Sequence, residues 1–364
     1  MKKKSTDQTT PKVIAGVKSP TALNPHLKNI LAQKRKQQGD AAHYVQGIQE
    51  GNKVILSQAI TIIESTRPAD QKMAKSIIEK CLPFANQSIR LGITGTPGVG
   101  KSTFIEAFGS HLVEQGKKVA VLAVDPSSKI SGGSILGDKT RMEKLAHLAN
   151  VFVRPSPAKS SLGGVARKTR ETMILCEAAG FDTILVETVG VGQSETLVHS
   201  MVDFFLLLLL PGGGDELQGI KRGIVEMADL VLINKADGDR VKLAKRTSID
   251  YKNALHLFPP KTSNWTATAL ICSALTNDGI EEVWEQIGKY IKLTKENQYF
   301  ENNRQQQAKY WLEAAISQGL QTAFYQNEVV QKALIKIEQA VLKNELSPFQ
   351  GAEQLLKLFK TSII

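Results

Sequence analysis

The feature that most constrains the fold of this chain is a glycine-rich loop of the pattern GxxxxGK[ST] at residues 95–102. The loop directly follows a β-rich run, IRLGIT, and directly precedes an amphipathic helical pattern. Glycines here let backbone N–H groups close on phosphate oxygens without Cβ interference, and the following helix adds its positive dipole end. Motif and context together predict a phosphate-binding loop. Its residues are Gly95, Thr96, Pro97, Gly98, Val99, Gly100, Lys101, Ser102 and Thr103.

Side chains in this loop and in a later strand predict a magnesium-bound nucleotide. Lys101 is expected to reach the β- and γ-phosphates, and the Ser102 hydroxyl is expected to bind Mg²⁺. The run DTILV is followed by Glu187 and then by Gly190, which places a carboxylate at the metal and a glycine N–H near the γ-phosphate. Small GTPases mostly carry Asp at this strand end, so Glu187 points to a subgroup.

The motif NKxD at Asn234, Lys235 and Asp237 predicts which base is bound. Its carboxylate can accept two hydrogen bonds from the N1–H and N2–H₂ edge of guanine, which adenine does not present. Four residues also fit a loop with an Asx turn, but the position after the strand DLVLI and a phosphate-binding loop favours guanine. GTP and GDP are therefore the predicted nucleotides. A short run after the strand TALI resembles the loop that completes a guanine pocket, and its members are Cys272, Ser273, Ala274 and Leu275.

Two further carboxylates are candidates for the metal and for hydrolysis. Asp125 follows the second β-rich run, at the sheet edge where α/β proteins gather their sites, so contact with Mg²⁺ or water is favoured over a helix N-cap. Asp138 follows the Gly-rich residues 131–134. A role in a nucleotide-dependent switch and a role as helix N-cap are both open for Asp138, and the two are compatible.

A second Gly-rich loop, at residues 211–221, follows the most hydrophobic run of the chain and ends at Lys221. Ordering three consecutive glycines has a high entropic cost, so this loop is expected to adopt a single conformation only when it is bound by a ligand or a partner. The residues alone support a nucleotide-sensitive switch and a long solvated turn equally well.

The fold class follows from the alternation of β-rich and helical patterns from about residue 88 onward. Continuous apolar strands separated by helices predict a mainly parallel sheet with helices on both faces, the α/β fold of P-loop NTPases. The predicted strands lie in the runs IRLGIT, KVAVLAV, NVFVR, DTILVE, DFFLLLLL, DLVLINK and TALICSA.

Helical extensions are predicted at both ends of this core. Apolar residues at helical spacing from residue 45 to 81, interrupted at Pro68, predict an N-terminal hairpin of two helices. The chain after residue 279 is predicted to be helical to its end, with segments near 281–293, 304–325 and 329–345 and a last one after Pro348. The predicted division is a flexible basic arm at 1–44, a helical segment at 45–86, a G domain at 87–295 and a C-terminal helical segment at 296–364.

Composition excludes several classes of function. The formal net charge is +11, but the basic residues are spread along the chain, so nucleic-acid binding is not expected, and the charge can instead steer an acidic partner or nucleotide. The three cysteines form no CxxC motif, which predicts reduced thiols rather than a metal site. The start, MKKKSTDQTT, lacks a signal-peptide core, and no apolar run approaches the roughly 20 residues of a membrane span. A cytoplasmic location without membrane contact is predicted.

Taken together, the motifs resemble those of the MeaB/ArgK-like GTPases, the G-protein chaperones of adenosylcobalamin-dependent acyl-CoA mutases, methylmalonyl-CoA mutase above all. The resemblance spans roughly residues 45–350. Besides the phosphate-binding loop and NKxD, it rests on the sequences AVDPSS, GGSILGDKTRM, ETVGVGQSE and GDELQGIK.

The resemblance implies site residues and partners that the residues alone do not. It implies that Ser102, Asp125, Asp138 and Glu187 form the magnesium and hydrolysis cluster, and that Lys221 lies in a switch loop that engages the mutase complex. It also implies a homodimer built through the C-terminal helices. Residues with apolar side chains suited to that interface are Trp311, Leu312, Ala315, Ile316 and Phe349.

Three other functions compete with this interpretation. A GTPase metallochaperone, such as one that serves a nickel enzyme, shares the Glu-for-Asp trait, but the six histidines form no cluster with a cysteine. A small-molecule or protein kinase is disfavoured by the intact NKxD motif. A non-enzymatic basic adaptor for RNA or membrane would leave a complete phosphate-binding loop unused.

Overall fold

The computed structural model of the chain describes residues 39–124, 142–155, 162–188, 194–212 and 222–363. Most of the predicted basic arm, at 1–38, lies outside the described residues, as do the Gly-rich residues 131–134 and 213–221. Four predicted site residues also lie outside them, namely Asp125, Asp138, Gly190 and Lys221.

The N-terminal segment contains three helices where the sequence predicted two. They are α1 (Ala41–Gln49), α2 (Lys53–Glu64) and α3 (Pro68–Cys81). Pro68 occupies the first turn of α3, as expected of a residue that has no N–H to donate. The unpredicted break precedes α2, where Gly51 adopts a positive φ of 73° and the Asn52 side chain caps the next helix by accepting from the backbone N–H groups of Val54 and Ile55.

The centre of the molecule is a sheet of seven strands in the order β3-β2-β4-β1-β5-β6-β7. All neighbouring strands pair in parallel, which confirms the predicted parallel sheet. The strands are β1 (Ile89–Gly95), β2 (Val119–Val124), β3 (Val151–Arg154), β4 (Thr183–Thr188), β5 (Phe204–Leu209), β6 (Leu230–Ile233) and β7 (Thr268–Ile271).

Register brings the functional ends of the strands to one edge of the sheet. Ile93 of β1 lies opposite Glu187 of β4, and Gly95 lies opposite Leu208 of β5. Since parallel strands all end at the same edge, the loops that follow β1, β4, β6 and β7 converge there. The most hydrophobic run of the sequence forms β5, all six residues of which are buried.

Helices cover both faces of the sheet, which confirms the predicted layered architecture. One face of the sheet forms a hydrophobic core with three helices: α4 (Lys101–Glu114), α5 (Glu143–Ala146) and α10 (Ile280–Glu296). The other face is covered by α1 to α3, α6 (Leu162–Ala178), α7 (Ser194–His199), α8 (Arg222–Met227) and α9 (Val241–Leu255). Strand side chains alternate between the two cores, which explains why every central strand is apolar along its whole length.

The C-terminal segment continues from α10 into α11 (Tyr299–Gln326), α12 (Glu328–Leu342) and α13 (Pro348–Ile363), close to the four predicted helices. One face of α11 packs on the G domain through Trp311, whose indole N–H donates to the carbonyl of Ser200 at 3.1 Å. Trp311 therefore makes an intramolecular contact and does not belong to a free apolar surface. Within the described part of the chain, no helix is both long enough and apolar enough to cross a membrane.

Candidate functional site

The phosphate-binding loop has a backbone that only glycine can adopt at its two ends. Gly95 has a φ of 153°, and a Cβ atom there would lie 2.5 Å from the carbonyl oxygen of Leu208. Gly100, directly before α4, has a φ of 93°, and its Cβ would lie 2.9 Å from Nδ2 of Asn234. The loop is thus drawn tightly against β5 and the NKxD motif, as a backbone cradle for phosphates requires.

Lys101 is held inside this loop. Its buried ammonium group donates to the carbonyl oxygens of Gly95, at 2.7 Å, and Thr96, at 3.3 Å. Burial lowers the pKa of Lys101, and the carboxylates of Glu187 and Glu195 oppose that shift. The lysine side chain is therefore positioned beside the cradle by contacts with the cradle itself.

The predicted metal ligands that the structure describes lie together. Ser102 Oγ donates to Oε1 of the buried Glu187 at 3.4 Å, which joins the start of α4 to the end of β4. A hydroxyl and a carboxylate oxygen at this separation are the hard oxygen donors that suit Mg²⁺. Among the described residues, no group of three His, Cys, Asp or Glu side chains is assembled for a metal ion. The other two expected members of the cluster, Asp125 and Asp138, lie outside those residues.

The Asn234 side chain connects the phosphate-binding loop to the loop after β7, which was predicted to complete the guanine pocket and is called the guanine loop below. Its Nδ2 donates to the carbonyl oxygen of Val99 at 2.9 Å. Its Oδ1 accepts from the backbone N–H of Ala274 at 3.2 Å and from the thiol of Cys272 at 3.4 Å. Because Asn234 is buried, these bonds satisfy the amide inside the protein and fix the two loops relative to each other.

The other two members of the NKxD motif face the same site. Lys235 has a positive φ of 60°, a conformation that costs a non-glycine residue about 1 kcal/mol, and its ammonium group donates to the carbonyl oxygen of Gly98 at 2.7 Å. Asp237 accepts from the hydroxyl of Ser273 at 2.8 Å and from the guanidinium of Arg240 at 3.2 Å. A carboxylate oriented by two donors at the end of β6 can present its remaining lone pairs to a guanine edge.

The predicted residues 273–275 lie beside the NKxD motif, but they differ in their contacts with it. Ser273 is fully buried and supports Asp237, and the backbone N–H of Ala274 supports Asn234. Leu275 is exposed. The first two residues therefore order the side chains of Asp237 and Asn234, which the sequence predicts to recognise the base.

Two contacts were missed by sequence reasoning. Thr94 and Thr188 join their hydroxyls at 2.8 Å, in a buried contact between the ends of β1 and β4. Cys272 belongs to the run predicted to complete the guanine pocket, and its thiol donates to Oδ1 of Asn234. Both threonines could have been identified from the sequence, because each is a polar residue at the end of an otherwise apolar strand. The bond from the Cys272 thiol to Asn234 was not predicted.

Comparison with protein families places the chain among known GTPases. The family described as "Methylmalonyl Co-A mutase-associated GTPase MeaB" matches residues 56–329. A putative GTPase of Caulobacter vibrioides is 50% identical over 309 residues, which cover 85% of this chain and 94% of the relative. The GTPase ArgK of Escherichia coli K12 is 44% identical over 323 residues, which cover 88% of this chain and 97% of the relative.

A mammalian relative and a solved structure extend the comparison. The mouse protein named "Methylmalonic aciduria type A homolog, mitochondrial" is 43% identical over 325 residues, which cover 86% of this chain and 78% of the relative. The crystal structure of a protein named "LAO/AO transport system kinase" is 38% identical and matches with a TM-score of 0.69, covering 88% of this chain and 97% of the other. Similarity therefore extends over most of the chain in both sequence and fold.

Proposed function

Since the chain belongs to the MeaB family of methylmalonyl-CoA mutase-associated GTPases, we propose that its GTP cycle gates cofactor loading on an adenosylcobalamin-dependent acyl-CoA mutase and protects that enzyme. Methylmalonyl-CoA mutase is the proposed client because the family description names it. The name of the mouse relative refers to methylmalonic aciduria, which supports the same client. We place this activity in the cytoplasm, as the sequence predicts.

The single observation that best supports a guanine nucleotide is the Asn234 side chain, which ties the phosphate loop at Val99 to the guanine loop at Ala274. A chance NKxD sequence in a solvated turn has no reason to be buried and bonded on both sides. Asp237 then stands at the position where a carboxylate selects guanine, oriented by Ser273. These bonds support one site for both base selection and phosphate binding.

Each described residue has a distinct part in binding and hydrolysing GTP. Lys101 supplies a positive charge to the β- and γ-phosphates, and Asp237 accepts from the guanine edge. Ser102 and Glu187 are the described residues that would hold Mg²⁺, which would supply positive charge to the phosphates when bound. The Lys235 ammonium group braces the loop through Gly98.

The residues outside the described ranges complete the proposal. Asp125 and Asp138 are proposed to join the magnesium and hydrolysis cluster, and Gly190 to sense the γ-phosphate. Lys221 is proposed to lie in the switch loop that faces the mutase. In this proposal the γ-phosphate and Mg²⁺ order these loops, and hydrolysis releases them, so that cofactor transfer is timed by the nucleotide.

A homodimer through the C-terminal helices is part of the proposal. Leu312, Ile316 and Leu320 recur at a spacing of four along α11 and are 61%, 53% and 60% exposed. A continuous apolar stripe of this kind on a soluble helix is typical of an interface. Light scattering is expected to give twice the mass of one chain for the natural protein and the mass of one chain for Ile316→Glu. An unchanged mass in the variant would refute this interface.

The experiment that tests the function measures GTP hydrolysis with Mg²⁺, alone and with the mutase from the same source. A slow basal rate that rises at least about tenfold with the mutase is expected, because a partner is needed to complete the catalytic machinery. Cofactor transfer to the mutase should then require GTP hydrolysis. Lys101→Ala should abolish both activities.

A matched control uses Lys118→Ala, an exposed lysine that directly precedes β2 and so lies at the opposite edge of the sheet. It should hydrolyse GTP like the natural protein. GTP hydrolysis without any effect of the mutase would refute the mutase partnership and leave the GTPase, which would turn attention to a metallochaperone client. Appearance of labelled acceptor instead of free phosphate would indicate a kinase.

A further inference from the structure

The outward face of α9 carries an unusual concentration of positive charge. The helix contains four cationic residues and a single acidic one, Asp250. We define the α9 face by six exposed residues, Lys242, Lys245, Arg246, Lys252, Leu243 and Ile249; Asp250 and Asn253 are exposed on the same helix. Within the described residues, none of its four cations has an acidic partner within salt-bridge distance. Unpaired like charges on one face repel each other, which is a cost that a binding partner can remove.

The face also contains apolar side chains that the fold leaves uncovered. Ile249 is 57% exposed and lies near the middle of the face, between the rows of cations. The buried side of the same helix packs on β6 and β7 through residues such as Ala244 and Tyr251, so Ile249 contributes nothing to that core. A central apolar residue with cations around it is the arrangement of an interface core with a charged rim.

The position of α9 connects this face to the nucleotide site. At its start, only the short turn Gly238–Arg240 separates the helix from Asp237 of the guanine motif. At its first two turns it touches the beginning of the Gly-rich loop, because Gly212 donates its backbone N–H to the hydroxyl of Thr247 at 3.0 Å. Leu243 packs so closely there that a Cβ on Gly212 would lie 2.9 Å from its Cδ2.

We propose that the α9 face is the surface on which an acidic surface of the client mutase docks. This inference rests on the proposed function and adds to it the site of contact and the chemistry of the partner. A partner held on the α9 face lies against a helix that begins one short turn after Asp237 and that accepts from the backbone N–H of Gly212 through Thr247.

The test compares mutase binding by the natural protein, by Arg246→Glu/Lys252→Glu, and by a matched control, Lys289→Glu/Lys292→Glu. The control reverses two exposed lysines on α10, which covers the opposite face of the sheet. Surface plasmon resonance at low and at physiological ionic strength gives the association and dissociation rates. Basal GTP hydrolysis and the thermal unfolding midpoint verify that each variant is folded.

Reversing the charge of the α9 face should weaken binding at least about tenfold at low salt, chiefly through slower association, and should reduce the dependence on salt. Ile249→Ser should speed dissociation and leave the salt dependence unchanged. The control should bind like the natural protein, and all variants should keep the basal GTPase rate.

If Arg246→Glu/Lys252→Glu binds the mutase as well as the natural protein does, this proposal is overturned and the proposed function stays intact. Equal weakening in the α10 control would also overturn it, because the effect would then belong to net charge alone. Binding to anionic phospholipid vesicles is measured for the same variants. If Arg246→Glu/Lys252→Glu loses vesicle binding but keeps mutase binding, the proposal is overturned in favour of a membrane surface. If the natural protein does not bind the mutase at all, the proposed function fails, and the α9 proposal fails with it.

Discussion

Arg304 on α11 and Asp203, directly before β5, form a two-pronged ion pair in which Nε lies 2.8 Å from Oδ1 and a terminal guanidinium nitrogen lies 2.7 Å from Oδ2. The same guanidinium donates to the carbonyl oxygens of Asn86 and Ser88. One turn later, Gln307 donates to the carbonyl oxygen of Val202 at 2.7 Å. The first long C-terminal helix is thereby attached to the segment that follows α7.

Arg304→Ala is expected to lower the free energy of unfolding by about 3 kcal/mol, because it leaves the buried carboxylate of Asp203 without its counter-charge. Urea unfolding followed by circular dichroism measures the loss. Lys309→Ala, an exposed residue on the same helix, is the control and should change stability by less than about 0.5 kcal/mol. Equal stability of the two variants would mean that the ion pair does not attach α11.

Asp237→Asn is expected to change the base that the site prefers. The amide loses one acceptor toward the N1–H and N2–H₂ edge of guanine, and it gains a donor that suits the extra carbonyl of xanthine. Affinity for GTP should fall about 100-fold, or about 2.7 kcal/mol, and affinity for XTP should rise. Titration calorimetry measures both. Asp239→Asn, an exposed neighbour, should change neither, and a similar loss there would argue against Asp237 as the selecting residue.

Much of the fold was predictable because its signals are local. The seven strands are continuous apolar runs, and a strand buried on both faces has no other pattern available. The break between α1 and α2 was missed because apolar spacing continues across it, and only the Gly51-Asn52 pair marks it. The attachment of α11 was not predictable, since Arg304 and Asp203 are 101 residues apart in the chain.

The site was predictable to the extent that its chemistry depends on short motifs. The phosphate-binding loop and NKxD are short motifs with residues in a fixed order, and Glu187 directly follows a recognisable apolar strand. Their supporting contacts depend on how strand ends meet, which is why the Thr94 to Thr188 bond and the role of Cys272 emerged only from the structure. Trp311 shows the same limit, because an apolar helical stripe does not reveal which of its members face the chain's own core.

The three cysteines are expected to resist alkylation in the folded protein. Burial raises the pKa of Cys81 to about 11, and burial also raises the pKa of Cys176 and of Cys272. A raised pKa means that the folded state keeps the thiol protonated up to a higher pH than the unfolded state does. For Cys81, the stability that this contributes is complete below about pH 8.5 and is lost as the pH rises toward about 11.

The measurement is the rate of reaction with iodoacetamide at pH 7.5, in buffer and in 6 M guanidinium chloride, analysed by mass spectrometry. The unfolded chain should react at all three cysteines, at least about 100-fold faster than the folded protein, because the thiolate is the nucleophile and only the unfolded thiols expose it. Rapid labelling of Cys272 in the folded protein would show that its bond to Asn234 opens frequently.

Glu187→Gln tests the metal site with the smallest change in shape. Glu187 lies 3.4 Å from the Ser102 hydroxyl, and the amide keeps an oxygen there while it removes the negative charge that holds a divalent cation. The concentration of Mg²⁺ needed for half-maximal GTP hydrolysis should rise at least about tenfold, whereas GDP affinity in the presence of EDTA should stay unchanged. Glu114→Gln, at the far end of α4, is the control and should match the natural protein. An unchanged requirement for Mg²⁺ in Glu187→Gln would assign the essential carboxylate to Asp125 or Asp138 instead.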